Sequence, residues 1–324
     1  MSGGGRLTLT RLGLVAVAGV LICGVLIFAA GRASDKTAAM TRSSAGTTGV
    51  ARTMAGSQIT SARASASPAP RPAPTRQADP LKPAAAFVSG RLGTVSVAVY
   101  DLTTHRGWTV GDTSRAQDEA SIVKVEILET LLDQRPAGLT SAQESLARQM
   151  IEDSDNDAAT ALWDAVGGAN GIRAFDVLAG LARTTPSACV QCPGFPWPGW
   201  GLTTTTPLDQ LTLLRELVSP GSVLSAAERK AALRLMEDVT PDQRWGVSGG
   251  VPSPVTIALK NGWLPLNASD TDWQVNSIGW VSGLGRDYLI AVLSTGNPSE
   301  AYGIDTIDEL SAIVWRQLAG TRQS

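Results

Sequence analysis

Strand-forming and helix-forming segments are segregated along this chain, and that order restricts the folds open to it. Val95 to Tyr100 is β-branched and partly alternating, and with Gly107 to Val110 it predicts a hairpin. A long helical stretch follows, from about residue 121 to 237. Strand signals return at residues 255–259, 275–281 and 288–293. The chain closes on an amphipathic helix, in which Ile304, Ile307, Leu310, Ile313, Val314 and Leu318 are spaced to bury one face. Strands at both ends with helices between predict an α+β fold. One antiparallel sheet would be built from both ends of the domain, with a helical lobe inserted between its second and third strands.

The N-terminal quarter stands apart from this domain. Residues 12–31 carry no charge and run for about 20 residues, the length a helix needs to cross a bilayer. Arg6 and Arg11 precede them, which favours residues 1–11 staying in the cytoplasm. The reading is a transmembrane anchor. The rival is a cleaved signal peptide, with Ala29, Ala30, Gly31 and Ala33 as small residues for a cleavage site. Residues 32–80 are rich in Ala, Ser, Thr and Pro and bury too little apolar surface to order themselves; they form a linker. Residues 81–324 are the folded domain, expected outside the cytoplasm: on a single-pass membrane protein, or secreted if the segment is cleaved.

Export sets the reading of Cys189 and Cys192. Oxidising compartments favour a local structural disulfide between them, with a redox-active pair as the alternative. Zinc would need further ligands, and the sequence has neither a second Cys pair nor a His cluster. No metal or cofactor is expected. The net charge of -2 gives no case for a nucleic-acid partner, and the domain is expected to be a monomer.

Three strings carry the chemistry: Ser121 to Lys124, Ser154 to Asn156, and Lys260 to Gly262. The chain has one histidine, His105, in the expected hairpin turn, so a nucleophilic serine here would be served by lysine. Ser121 opens a helix that is apolar on nearly every side, where unpaired N–H groups favour developing negative charge. Lys124 lies three residues on, on the same face. A lysine in so apolar a helix has its pKa lowered by desolvation, and can then take a proton from a neighbouring hydroxyl. The bland reading is a capping serine and a lysine that reaches out to water. Ser154, Asp155 and Asn156 sit at a helix start, where such residues also simply cap. Lys260 ends an apolar strand. Gly262 lets another group approach the strand backbone, so that the N–H of Trp263 joins that of Ser121 as an oxyanion hole.

Ser-x-x-Lys, Ser-Asp-Asn and a Lys-x-Gly in this order resemble the serine β-lactamase and penicillin-binding protein superfamily, in particular class A β-lactamases. The resemblance extends from about residue 81 to the C-terminus and includes Val166-Gly167-Gly168, Thr204 to Pro207 and Gly250 to Pro252. It implies an acyl-enzyme on Ser121, with Lys124 as proton acceptor and Ser154 relaying a proton to the leaving nitrogen. Asn156, Lys260, Asn261, Gly262 and Trp263 would bind substrate: a β-lactam, a peptidoglycan peptide or an ester.

The departures matter equally. The family's class A enzymes carry a Glu on the loop before Thr204 that activates the deacylating water. Here the only carboxylates between Asn156 and Thr203 are Asp157, Asp164 and Asp176, all on predicted helices. An aromatic, Cys-containing loop stands in its place, so slow deacylation is expected. Asn261 replaces a Thr or Ser, and Arg244 is a substitute for an absent arginine on the next strand. Trp197, Trp200, Trp245 and Trp263 are expected to line a groove. A catalytically degenerate, membrane-tethered binding or scaffolding module is the alternative reading.

Overall fold

The computed structural model describes residues 79–318 apart from residue 268. The anchor or signal peptide, and almost all of the linker, lie outside these residues. Among the described residues no helix is long and apolar enough to cross a membrane.

A short helix α1 (Lys82–Val88) leads into the hairpin β1 (Thr94–Asp101) and β2 (Arg106–Val110). His105 sits exposed in its turn with φ 55°. The helical lobe follows: α2 (Val123–Asp133), α3 (Ser141–Glu152), α4 (Asn156–Ala165), α5 (Gly168–Ala179), α6 (Pro207–Val218) and α7 (Ala226–Glu237). Within it β3 (Gln117–Asp118) pairs with β4 (Thr204–Thr205). The chain then returns as β5 (Thr256–Pro265), β6 (Trp273–Gly283) and β7 (Arg286–Asn297), and ends on α8 (Glu300–Leu318). The five-stranded sheet is antiparallel, in the order β2-β1-β7-β6-β5. Both ends of the domain therefore supply it, as the pattern of segments predicts, and the helical lobe is the insertion between β2 and β5.

Strand alternation divides the core in two. Val97, Val99, Ile290 and Val292 face the side packed by α8, through Ile307, Leu310 and Val314. Ala98, Leu289, Ala291 and Leu293 face the helical lobe, through Ile122, Val125 and Leu128. A sheet covered on both faces explains why its strands read as nearly continuous apolar runs. Every residue of α2 from Val123 to Leu132 is buried, as its apolar circumference predicts.

Candidate active site

The nucleophile turn forms where three segments meet. Ser121 lies in a 3-10 turn, Ala120–Ile122, that runs into α2. Ala120 has φ 52°, a left-handed conformation that costs a non-glycine residue free energy and persists only where its surroundings impose it. Those surroundings are visible. Asn276 on β6 donates through Nδ2 to the carbonyls of Asp118 and Glu119, both at 2.9 Å. Gly262 on β5 lies against the turn so closely that an added Cβ would stand 2.6 Å from Ser121 N and 2.7 Å from Ile122 N. This close approach is what the Gly in the third string permits.

Ser154 also has a positive φ, 57°. Its position is set by the start of α4, where Asp155 caps the helix by accepting from Ala158 N at 2.7 Å. The bland reading therefore holds for Asp155, and capping is what turns its neighbours inward. The Ser154 hydroxyl accepts from Lys124 Nζ at 3.0 Å and from Lys260 Nζ at 2.9 Å. With both acceptor positions taken, its own proton is left to point elsewhere. Lys124 Nζ also donates to Ser154 O at 2.6 Å and to Asn156 Oδ1 at 2.8 Å. That bond fixes the Asn156 amide so that its NH₂ is turned away from the lysine. Lys260 Nζ makes a second bond to Asn261 O at 2.9 Å.

Both lysines are essentially inaccessible, at 0% and 1% exposure. Burial, then the neighbouring Lys260 charge, hold Lys124 well below the ordinary lysine range, with Asp155 pulling the other way. Burial brings Lys260 down to about 7. Two ammonium groups sharing one hydroxyl would repel each other, so the cluster favours losing a proton. None of the three bonds of Lys124 Nζ goes to Ser121; they go to Ser154 O, Ser154 Oγ and Asn156 Oδ1.

The structure thus brings together Ser121, Lys124, Ser154, Asn156, Lys260 and Gly262. Trp263 joins Ser121 and Asn156 in lining a narrow cleft of about 40 Å³, walled also by Phe195, Trp197 and Trp200. Trp245 packs edge-on to Trp263, with ring centres 5.7 Å apart. Asn261 is placed otherwise. It lies between Lys260 and Gly262 on a pleated strand, so its side chain points to the opposite face. There its Nδ2 donates to Gln243 O at 2.7 Å and Trp245 O at 3.1 Å, while Oδ1 accepts from Ser277 Oγ at 2.6 Å. Its amide is consumed by the scaffold. Arg244 is exposed and donates to Glu237 O at the end of α7, away from the cleft lining.

The loop before β4 is tied at its start and pinned again midway. Asp209 on α6 accepts from Arg183 N at 2.6 Å and Thr184 Oγ1 at 2.9 Å. Cys189 and Cys192 are joined in a disulfide. A Cβ on Gly199 would stand 2.6 Å from Cys192 Sγ, so the bridge packs directly on the aromatic end of the loop. Asp157, Asp164 and Asp176 lie on α4 and α5, as predicted, and none lines the cleft.

A group of carboxyls escaped the sequence reading. Glu119, Glu126 and Glu129 are all fully buried, and burial raises the pKa of each well above the ordinary range. Neighbouring carboxylates add to it, Asp176 and Asp209 for Glu119, and Glu216 for Glu129. Gln210 Nε2 donates to Glu119 Oε1 at 3.2 Å, and Arg173 approaches Asp176 at 3.5 Å. A signal existed: a helix buried on every side must bury its glutamates too.

Residues 132–318 match the β-lactamase enzyme family. The matched span holds Ser154, Asn156, Lys260 and Gly262 and begins beyond Lys124. No curated protein matches the sequence. Among solved structures, a class A β-lactamase from Mycobacterium abscessus is 20% identical with a TM-score of 0.62, covering 75% of this chain and 100% of that one. A class A β-lactamase from Bacteroides cellulosilyticus DSM 14838 is 19% identical with a TM-score of 0.62, covering 72% and 94%. TLA-1 extended-spectrum β-lactamase is 18% identical with a TM-score of 0.63, covering 72% and 95%. At these identities the structural likeness speaks for the fold alone.

Proposed function

Since the chain belongs to the β-lactamase enzyme family, we propose that it is a serine hydrolase or acyl-transferase that acylates Ser121 with a β-lactam or a cell-wall peptide and deacylates slowly. The observation that carries this reading is the Ser154 hydroxyl held between Lys124 Nζ and Lys260 Nζ, at 3.0 and 2.9 Å, beside the Ser121 turn. The anchor-like residues 12–31 support placing the reaction outside the cytoplasm, on a membrane-tethered domain.

In this reading Ser121 Oγ attacks the substrate carbonyl carbon and its proton passes to Lys124. A neutral Lys124 keeps Ser154 O and Asn156 Oδ1 as acceptors, and its contact with the Ser154 hydroxyl can reverse in sense, which links base and relay. Catalytic hydrogen bonds commonly tighten only when substrate is bound, so the missing Ser121–Lys124 bond in the free site is compatible with proton transfer. The N–H groups of Ser121 and Trp263 receive the developing oxyanion. The carbon–nitrogen bond then breaks, and Ser154 hands a proton to the leaving nitrogen, refilled from Lys124. Lys260 supplies positive potential toward a substrate carboxylate, and the Asn156 NH₂ binds the substrate amide.

The test is intact-mass measurement of the full chain incubated with benzylpenicillin, with Ser121→Ala alongside and free penicillin assayed in the same tube. A persistent Ser121-dependent adduct is expected. The narrow 40 Å³ cleft favours one other reading, a binding module without turnover; no adduct together with intact penicillin would select it.

A further inference from the structure

Trp200 lies beside Lys124 at the cleft that Ser121 lines. It is 3% exposed, its ring centre lies 5.1 Å from Lys124 Nζ, and its Nε1–H donates to Thr160 Oγ1 at 3.1 Å. The ring lines the same cleft as Ser121 and Asn156. It is fixed from both sides along the chain. Gly199 abuts the disulfide, and Gly201 lies over Ala120, where an added Cβ would stand 3.7 Å from the Ala120 Cα.

Hydrolysis of an ester on Ser121 makes definite demands. A water oxygen must bond to the acyl carbon while its proton passes to a base. The bond from that carbon to Ser121 Oγ must then break, with the proton returned to Oγ. No carboxyl lines the cleft, which leaves Lys124, the proton acceptor of the acylation reading, to serve as the base. Its Nζ is wrapped by Ser154, Asn156 and the Trp200 ring, and a ring face offers water no acceptor of comparable strength.

Resting on the acyl-enzyme reading above, we propose that Trp200 is the positioning residue that decides against water as acyl acceptor: its indole covers Lys124 and holds hydrolysis of the Ser121 ester back. Trimming it to alanine opens a void far larger than the roughly 30 Å³ that one water takes up. That void adjoins Lys124 Nζ and the released Thr160 Oγ1 and opens on the cleft that Asn156 lines. Two to four polar partners of this kind are what a buried water needs.

The experiment separates the two steps in the full chain. Acylation and deacylation of Ser121 by benzylpenicillin are followed by intact mass in wild type, Trp200→Ala and Thr160→Val. Trp200→Ala is expected to deacylate at least about 10-fold faster, a small part of the roughly 10²–10⁴ that a positioned base contributes, with acylation changed less than about 3-fold. Damage to the fold slows both steps and does not speed one. Thr160→Val keeps the indole but removes its anchor, and about 3-fold faster deacylation is expected of it; this variant carries the test should Trp200→Ala not fold. An adduct in wild type with deacylation unchanged in the folded variants would overturn the role of Trp200 and leave the nucleophile standing. Rapid loss of penicillin in wild type would do the same, since water would already have access. No adduct and intact penicillin would overturn both.

Discussion

Gly262→Ala tests whether the contact between β5 and the nucleophile turn sets the rate of acylation. The new methyl would stand 2.6 Å from Ser121 N, 2.7 Å from Ile122 N and 2.8 Å from Glu119 O. All three are backbone atoms, so no side chain can rotate away. Restoring an ordinary 3.4 Å contact requires β5 and the turn to separate by about 0.8 Å. Such a shift moves the Trp263 N–H away from the Ser121 N–H, and a misplacement near 1 Å costs on the order of 10²-fold in rate. The overpacking itself costs about 1–3 kcal/mol, within the reserve of a typical domain, so the variant should fold. The assay is the acylation rate of Ser121 by benzylpenicillin, followed by intact mass, beside a urea melt. Gly221→Ala is the control, because nothing lies within 4 Å of a Cβ there; it should match wild type in both. A folded Gly262→Ala chain that acylates at the wild-type rate would refute the idea that this contact positions the oxyanion site.

Three further outcomes are expected. Lys260 is held at about 7 against an ordinary 10.5, so between those values the unfolded chain binds the extra proton. Its contribution to stability therefore rises as pH goes from about 7 to 10.5. The urea midpoint of wild type should gain on that of Lys260→Met over this range, and an equal gap at pH 7 and pH 10 would contradict it. Asn261→Ala strands Gln243 O and Trp245 O and takes away the acceptor of the Ser277 hydroxyl, which keeps its bond from Val247 N, and should cost about 3 kcal/mol. Acylation per folded molecule should stay within about 3-fold of wild type, and a selective loss of rate with stability retained would return Asn261 to the substrate site. Glu129 has two buried oxygens without a partner and its pKa is raised, first by burial and then by Glu216. A raised carboxyl loses stability as pH climbs above its unfolded value near 4.5. Glu129→Leu should therefore stabilise the chain at pH 8 by about 1–3 kcal/mol and by less at pH 4; equal effects at both would argue against a titrating carboxyl.

The architecture was legible because its signals are local. Alternation in Val95 to Tyr100 and around Ile290, and the apolar circumference of α2, both follow from side-chain period alone. The order of segments then leaves few ways to close one sheet. The same parity rule could have placed Asn261, since neighbours on a strand face opposite ways; reading it as a stand-in for a hydroxyl set that rule aside. Two features were out of reach. That Lys124 bonds Ser154 rather than Ser121 depends on how α4 docks on α2, a tertiary fact between residues 30 apart. That Trp200 rather than a carboxyl lies beside Lys124 depends on the path of an irregular loop, which has no period to read.

The pairing of β1 with β7, Thr94 opposite Thr295, has a consequence for how the chain is made. Synthesis delivers the β1–β2 hairpin long before its partner strand exists. Until the last quarter has emerged, the inner edge of β1 carries a row of unpaired backbone groups, an invitation to foreign strands. The clamp on the nucleophile turn, Gly262 and Asn276, arrives equally late. A nascent or C-terminally truncated chain therefore holds its serine without the scaffold that shapes it, and only the completed polypeptide closes the sheet.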